Sequence, residues 1–219
     1  MSKRFSTKEM TTLAMITAIA LVLVNTVRIP VVLFLKYEPK DVAIAIGGFL
    51  MGPAAVLISS SVVALIEMFT ISDTGIIGCI MNFLSTCSFA CVAALVYKKN
   101  HTMKGAITGL MAGSVFMVAA MMLWNYLITP LYMTGTSRSD IAGMLLPVFL
   151  PFNLLKAGLN SSITLLLYKP LVTGLRKAGL IPPSSSAAQQ RDKKVGVFLF
   201  AGALLIACVL MVLVMRGII

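Results

Sequence analysis

Apolar residues run in long blocks along this chain, and short polar segments separate them. The blocks are Met10–Ile29, Val42–Thr70, Ile76–Tyr97, Met103–Ile128, Leu145–Leu171 and Val195–Met215. A helix needs about 20 apolar residues to cross a bilayer, so most blocks read as single membrane spans. Val42–Thr70 is different: it holds 29 residues and carries Gly52-Pro53 in its middle. Either it is one tilted span or it is two helices meeting at a tight turn.

The basic residues choose between these. With the N-terminus inside and a turn at Gly52-Pro53, 12 Lys and Arg fall inside and 5 outside, Lys156 aside. The inside set includes Lys3, Arg4, Lys8, Lys98, Lys99, Lys104 and Arg191; the outside set is Arg28, Lys36, Lys40, Arg138 and Arg216. A fused span would put the two later basic loops outside, against the bias of cytoplasmic loops toward positive charge. The split leaves Val42–Met51 too short to span, so the segment before it must enter the fold under protein cover.

Composition agrees with a polytopic membrane protein. Of 219 residues 59% are hydrophobic and only 11% charged, a balance foreign to soluble domains. The net charge of +11 would suggest nucleic acid in a soluble chain, but here the charges flank apolar blocks, and no nucleic-acid partner is expected. Met1–Glu9 is short and basic, and the block after it is too long for a signal-peptide core, so that block reads as the first span. Gly174–Lys194, basic and rich in Pro and Ser, reads as a cytoplasmic linker. The expected organisation is a six-helix core over 1–172, a linker over 173–194 and a further membrane helix over 195–219.

Polar residues inside the blocks mark candidate chemistry. Asn153, Lys156 and Asn160 stand at i, i+3 and i+7 and share a helix face, within a stretch that is apolar from Met144 to Tyr168. A lysine at membrane depth costs about 2.5–3.5 kcal/mol on insertion scales and usually faces a partner or a ligand. Asn125 sits among Trp124, Tyr126 and Tyr132, which read equally as an interfacial aromatic belt or as a slot for a flat heteroaromatic ligand. The segment Lys36–Asp41 mixes both charges with Tyr37 and reads as a solvated loop or as a gate. Glu67, a carboxylate inside an apolar block, raises a coupling-ion role. Ala14 and Ala18 form a small-xxx-small pair of the kind that lets helices approach closely. Cys87 and Cys91 share a face but lack nearby His or acidic residues, so they read as small buried side chains rather than metal ligands. The chain has no P-loop, no HExxH, no nucleophile elbow and no paired carboxylates at catalytic spacing, and nothing supports an enzyme.

Five blocks in order carry a family resemblance: Tyr37-Glu-Pro-Lys-Asp41, Ile44-x-Ile-Gly-Gly-Phe49, Met81-Asn-Phe-Leu-Ser-Thr86, Leu123-Trp-Asn-Tyr-Leu-Ile-Thr-Pro130, and Phe149-Leu-Pro-Phe-Asn-Leu-Leu-Lys156 with Gly158-Leu-Asn160. Across about Lys8–Leu171 the chain resembles the substrate-binding S components of energy-coupling-factor (ECF) transporters, and among them the riboflavin-specific members. The resemblance implies an all-α, six-helix core in the bacterial cytoplasmic membrane with its N-terminus inside, and no cofactor. It implies that Asn125, Asn153 and Lys156, with Asn160 one turn away, contact riboflavin, that Gly78, Asn82 and Trp124 belong to the same site, and that Tyr37, Glu38, Lys40 and Asp41 form its lid. It further implies that Ala14 and Ala18 dock on a transmembrane T component served by two ABC-type ATPases. Another flat vitamin, or FMN with its phosphate held by Lys36, Lys40 or Arg138, is the alternative ligand; a self-sufficient secondary carrier is the alternative mechanism. The seventh span departs from the six-helix pattern.

Overall fold

A computed structural model describes residues 6–72, 74–133, 135–177 and 194–217. Lys3, Arg4, Asp73, Arg191, Lys193 and most of the expected linker lie outside the described residues.

Helix α1 spans Thr7–Thr26 and opens with a capping box, in which Ser6 and Glu9 satisfy each other's backbone N–H groups. It ends three residues short of the expected Ile29. Pro30 disfavours helix at the residue before it, and Ile29 instead starts a hairpin. Strands β1 (Ile29–Val32) and β2 (Leu35–Tyr37) pair antiparallel, with Leu33 at φ +50° in the turn. These are the only strands among the described residues, and the hairpin leads into the next helix.

The break at Gly52-Pro53 is real. Helix α2 covers Lys40–Met51 and α3 covers Pro53–Thr70. Gly52 joins them at φ +90°, a conformation that disfavours any side chain, and Pro53 takes the first position of α3, where its missing N–H costs nothing. At 12 residues and about 1.5 Å per residue α2 is too short to span. Instead it is buried on all sides from Lys40 to Phe49, packed among α1, α3, α4 (Gly75–Lys99) and α7 (Leu150–Lys177). Its apolar sequence reflects a central position in the protein rather than contact with lipid.

Helices α4 and α5 (Met103–Tyr132) form the most extensive helix pair. A Cβ added at Gly109 would lie 2.7 Å from the Ala93 carbonyl oxygen, and one at Gly113 would lie 2.3 Å from that of Phe89. Two backbones can approach this closely only over glycine. Helix α5 runs on through Pro130, and α6 (Arg138–Met144) starts on a Ser137–Asp140 capping box, so much of the expected outer loop 129–144 is helical. A π-helical turn over Leu145–Phe149 leads from α6 into α7. Pro151 lacks the N–H that an α-helix would aim at the carbonyl of Pro147, and the wider turn accommodates that gap.

Helix α7 continues to Lys177, five residues past the expected core boundary. The last helix, α8, covers Lys194–Met215. Among the described residues six helical segments are long and apolar enough to cross a membrane: α1, α3, α4, α5, the α6–α7 unit and α8. Large apolar side chains such as Phe69, Val115, Leu146 and Phe200 point outward, as expected of a lipid-facing surface.

Candidate functional site

The α1–hairpin junction and the ends of α3, α4, α5 and α7 enclose a cavity of about 240 Å³. Its apolar walls include Phe34, Ile77, Met81, Met121, Tyr132 and Phe152. Its polar groups come from separate elements: Arg28 after α1, Glu38 after β2, Glu67 on α3, Asn82 and Ser85 on α4, Asn125 on α5, and Asn153 and Lys156 on α7.

Asn125 and Asn153 are each held in place by their own helix segment. Asn125 donates to the Met121 carbonyl at 2.8 Å and accepts from Thr129 at 3.1 Å. Asn153 donates to the Phe149 carbonyl at 2.8 Å, where the π-helical turn gives way to α7. These side chains therefore meet the cavity in fixed orientations.

A charge cluster runs from the cavity wall, where Arg28, Glu38, Glu67 and Lys156 stand, to Lys40 and Asp41 behind it. Arg28 Nε meets Glu38 Oε1 at 2.8 Å, and its NH1 donates to the Ile71 carbonyl at 3.0 Å. Lys40 Nζ lies 2.9 Å from Glu38 Oε2 and 2.6 Å from Glu67 Oε2, and Asn82 donates to that same Glu67 oxygen at 2.8 Å. Lys156 Nζ lies 3.3 Å from Asp41 Oδ2 and donates to Ser85 Oγ at 3.1 Å. Asp41 also accepts from Thr86 at 2.6 Å and from Asn160 at 3.1 Å, and Tyr37 donates to Asn160 Oδ1 at 3.2 Å. Arg28, Lys40 and Lys156 thus balance Glu38, Asp41 and Glu67. Buried charges persist only when paired and hydrogen-bonded in this way. At Glu38, just outside the membrane helices, burial pushes the pKa up, but Lys40, Lys156 and Arg28 outweigh it and hold the carboxyl below its ordinary range.

Of the residues singled out in the sequence, Glu38, Gly78, Asn82, Asn125, Asn153 and Lys156 line the cavity. Tyr37, Lys40, Asp41 and Asn160 do not; they sit behind it and position those that do. Lys40 and Asp41 are fully buried in the first turn of α2, while Glu38 of the same segment lines the cavity. The segment that lies over the cavity is Phe34–Lys36 of the hairpin. Trp124 is off the cavity and packs against the main hydrophobic core, and its indole N–H finds no acceptor among the described residues. Glu67 is the counter-ion of Lys40. Of the cations weighed for a phosphate, Lys36 is on the wall, Lys40 is enclosed by carboxylates, and Arg138 is exposed away from the cavity. Ala14 and Ala18 both lie on the exposed face of α1.

Sequence reasoning missed Arg28 as a site residue. By sequence it is only an outer charge, and its one signal is an opposite charge, Glu38, ten residues on.

Comparison with known proteins matches this architecture. The chain is 31% identical to the riboflavin transporter RibU of Staphylococcus aureus (strain TCH60) over 78% of this chain and 93% of that one. It is 29% identical to RibU of Streptococcus thermophilus (strain ATCC BAA-250 / LMG 18311) over 78% of this chain and 86% of the relative. A solved S component of a bacterial ECF transporter superposes with a TM-score of 0.64 at 30% identity, over 77% of this chain and 98% of that one. The family model for the substrate-specific component of ECF transporters matches residues 8–168. With that match spanning the helices that build the cavity, the chain belongs to the ECF transporter substrate-specific components, the membrane-embedded substrate-binding subunits of these importers.

Proposed function

We infer that the substrate is riboflavin and that the cavity is its binding site. The observation that carries this reading is the convergence of Asn125, Asn153 and Lys156, from two helices, on one apolar-walled cavity. Riboflavin offers a flat ring system with an edge of carbonyl and imide groups, and an uncharged polyol chain. Apolar walls with a few fixed amide and ammonium donors suit such a molecule. The relatives named as riboflavin transporters support the ligand class. Pockets for ligands of this size typically enclose about 300–1,000 Å³, somewhat more than the cavity of about 240 Å³.

In this reading the chain captures riboflavin at the outer face, with its N-terminus inside, and delivers it on a T component powered by two ATPases. The exposed small residues Ala14 and Ala18 on α1 supply the docking face. Protein purified in detergent from cells grown with riboflavin should be yellow and carry about one equivalent of flavin. A colourless protein that also fails to quench added riboflavin would sink the ligand assignment. Retained FMN in place of riboflavin would move it to the phosphorylated flavin. Ala18→Leu should keep the flavin but lose uptake when the T component and ATPases are co-expressed, and unchanged uptake would remove this face from docking.

A further inference from the structure

Helix α8 has no place in the shared S-component core, since the family match ends at residue 168 and α8 begins at Lys194. It is nevertheless not a detached lipid anchor. One stripe of it faces the protein: Ala201, Leu204, Leu205, Cys208, Met211, Val212 and Met215, at the three- and four-residue spacing of a single helix face. The rest of the helix is largely exposed.

The stripe touches two things. Along most of its length it packs on α7, where a Cβ at Gly158 would lie only 2.6 Å from Cys208 Sγ. Gly158 thus lets α8 sit close behind the turn of α7 that bears Lys156 and Asn160. Toward its C-terminal end α8 reaches the hairpin. It contacts β1, it shares a hydrophobic cluster with Val31, Leu35 and Tyr37, and Met215 and Arg216 face Pro30–Leu33 across a surface groove. A two-stranded hairpin is marginally stable by itself and takes its order from what it packs against. Here β1 leans on α8, while the turn and β2 place Phe34–Lys36 over the cavity.

We propose that α8 is a strut for the hairpin: it holds β1 in the closed position and so slows the opening that admits and releases the ligand. The consequence is kinetic. A lid that opens less often lowers both association and dissociation rates, and equilibrium affinity changes less than either. The residence-time part of the proposal rests on the riboflavin reading; the strut itself does not.

The test uses the full chain with two substitutions. Gly158→Leu drives a wedge between α7 and α8, and Met215→Ala trims the end of α8 beside the hairpin. The primary readout is backbone hydrogen exchange over residues 29–37, which needs no ligand. The expected result is exchange faster by about fivefold or more in Gly158→Leu and about twofold in Met215→Ala, with protection of α4 and α5 unchanged. Riboflavin dissociation, followed by recovery of its fluorescence, should accelerate in the same order. Hairpin exchange that does not change in either variant would overturn the strut. If Gly158→Leu also loses protection in α4 and α5, the wedge has disrupted the bundle and Met215→Ala decides. A parent protein that fails to bind riboflavin would refute the ligand reading alone, since hairpin exchange still decides this one.

Discussion

The two ends of α5 are built on opposite principles. Near its start, Gly109 and Gly113 lie against α4 backbone at Phe89 and Ala93, with buried Ala106 one turn before them. The packing is close, apolar and nearly side-chain-free. Sixteen residues on from Gly109, about 24 Å along the helix, Asn125 faces a cavity backed by six balanced charges. One end gains stability from van der Waals contact, the main driving force between helices in lipid. The other gives up packing for a space and holds it open with ion pairs whose members come from almost every element around it. A binding site in a membrane bundle thus needs a rigid end and a polar end, and α5 belongs to both.

The largest expected effect falls on the charge cluster. Asp41→Ala removes the partner of Lys156, Asn160 and Thr86 at once, and breaking such a buried pair costs about 3–5 kcal/mol. Thermal unfolding in detergent should show a large drop together with lost ligand binding. Lys156→Ala should likewise lose stability as well as affinity, because it leaves Asp41 buried beside fewer donors. Making the neutral pair Asp41→Asn with Lys156→Met should restore much of the stability while binding stays lost. A double variant no more stable than Asp41→Ala would show that the cluster does not act as a unit.

Next comes the glycine contact. Gly109→Leu overpacks a backbone-to-backbone approach that has little room to yield, at a cost of about 1–3 kcal/mol or more. Its unfolding midpoint should fall, and in the protein that remains folded the affinity should be normal. Weakened affinity without loss of stability would mean that the two ends are not separable.

The smallest effect should come from Asn125→Ala, which removes one oriented amide from the cavity wall. Binding should weaken by about 1–3 kcal/mol, the cost of an unmet buried hydrogen bond, with the unfolding midpoint nearly unchanged. Titration by quenching of riboflavin fluorescence measures it, and parent-like affinity would place the ligand elsewhere in the cavity.

Much of this was legible in the chain. The spans, the Gly52-Pro53 break and the polar stripe of α7 follow from periodicity and residue chemistry, which act locally. The hairpin was not legible: Ile29–Tyr37 is too short and too mixed in pattern to distinguish a strand pair from an outer loop. The Gly109 and Gly113 contact was equally hidden, because glycine spacing shows an opportunity for close approach but not the partner that fills it. Trp124 shows the converse. It stands beside Asn125 in sequence, yet a helix turns about 100° per residue, and the neighbour of a site residue faces elsewhere.

By itself, then, the sequence determined that this is a membrane bundle, where its helices break, and which polar side chains sit where lipid would not tolerate them alone. The tertiary structure decided which of those charges pair with each other and which face the cavity, that Phe34–Lys36 of the hairpin line it, and that α8 packs against that hairpin. The physical reason is range. Hydropathy and backbone preference are properties of a segment, whereas Asp41 and Lys156, or Tyr37 and Asn160, are more than a hundred residues apart in the chain and meet only once the helices have packed.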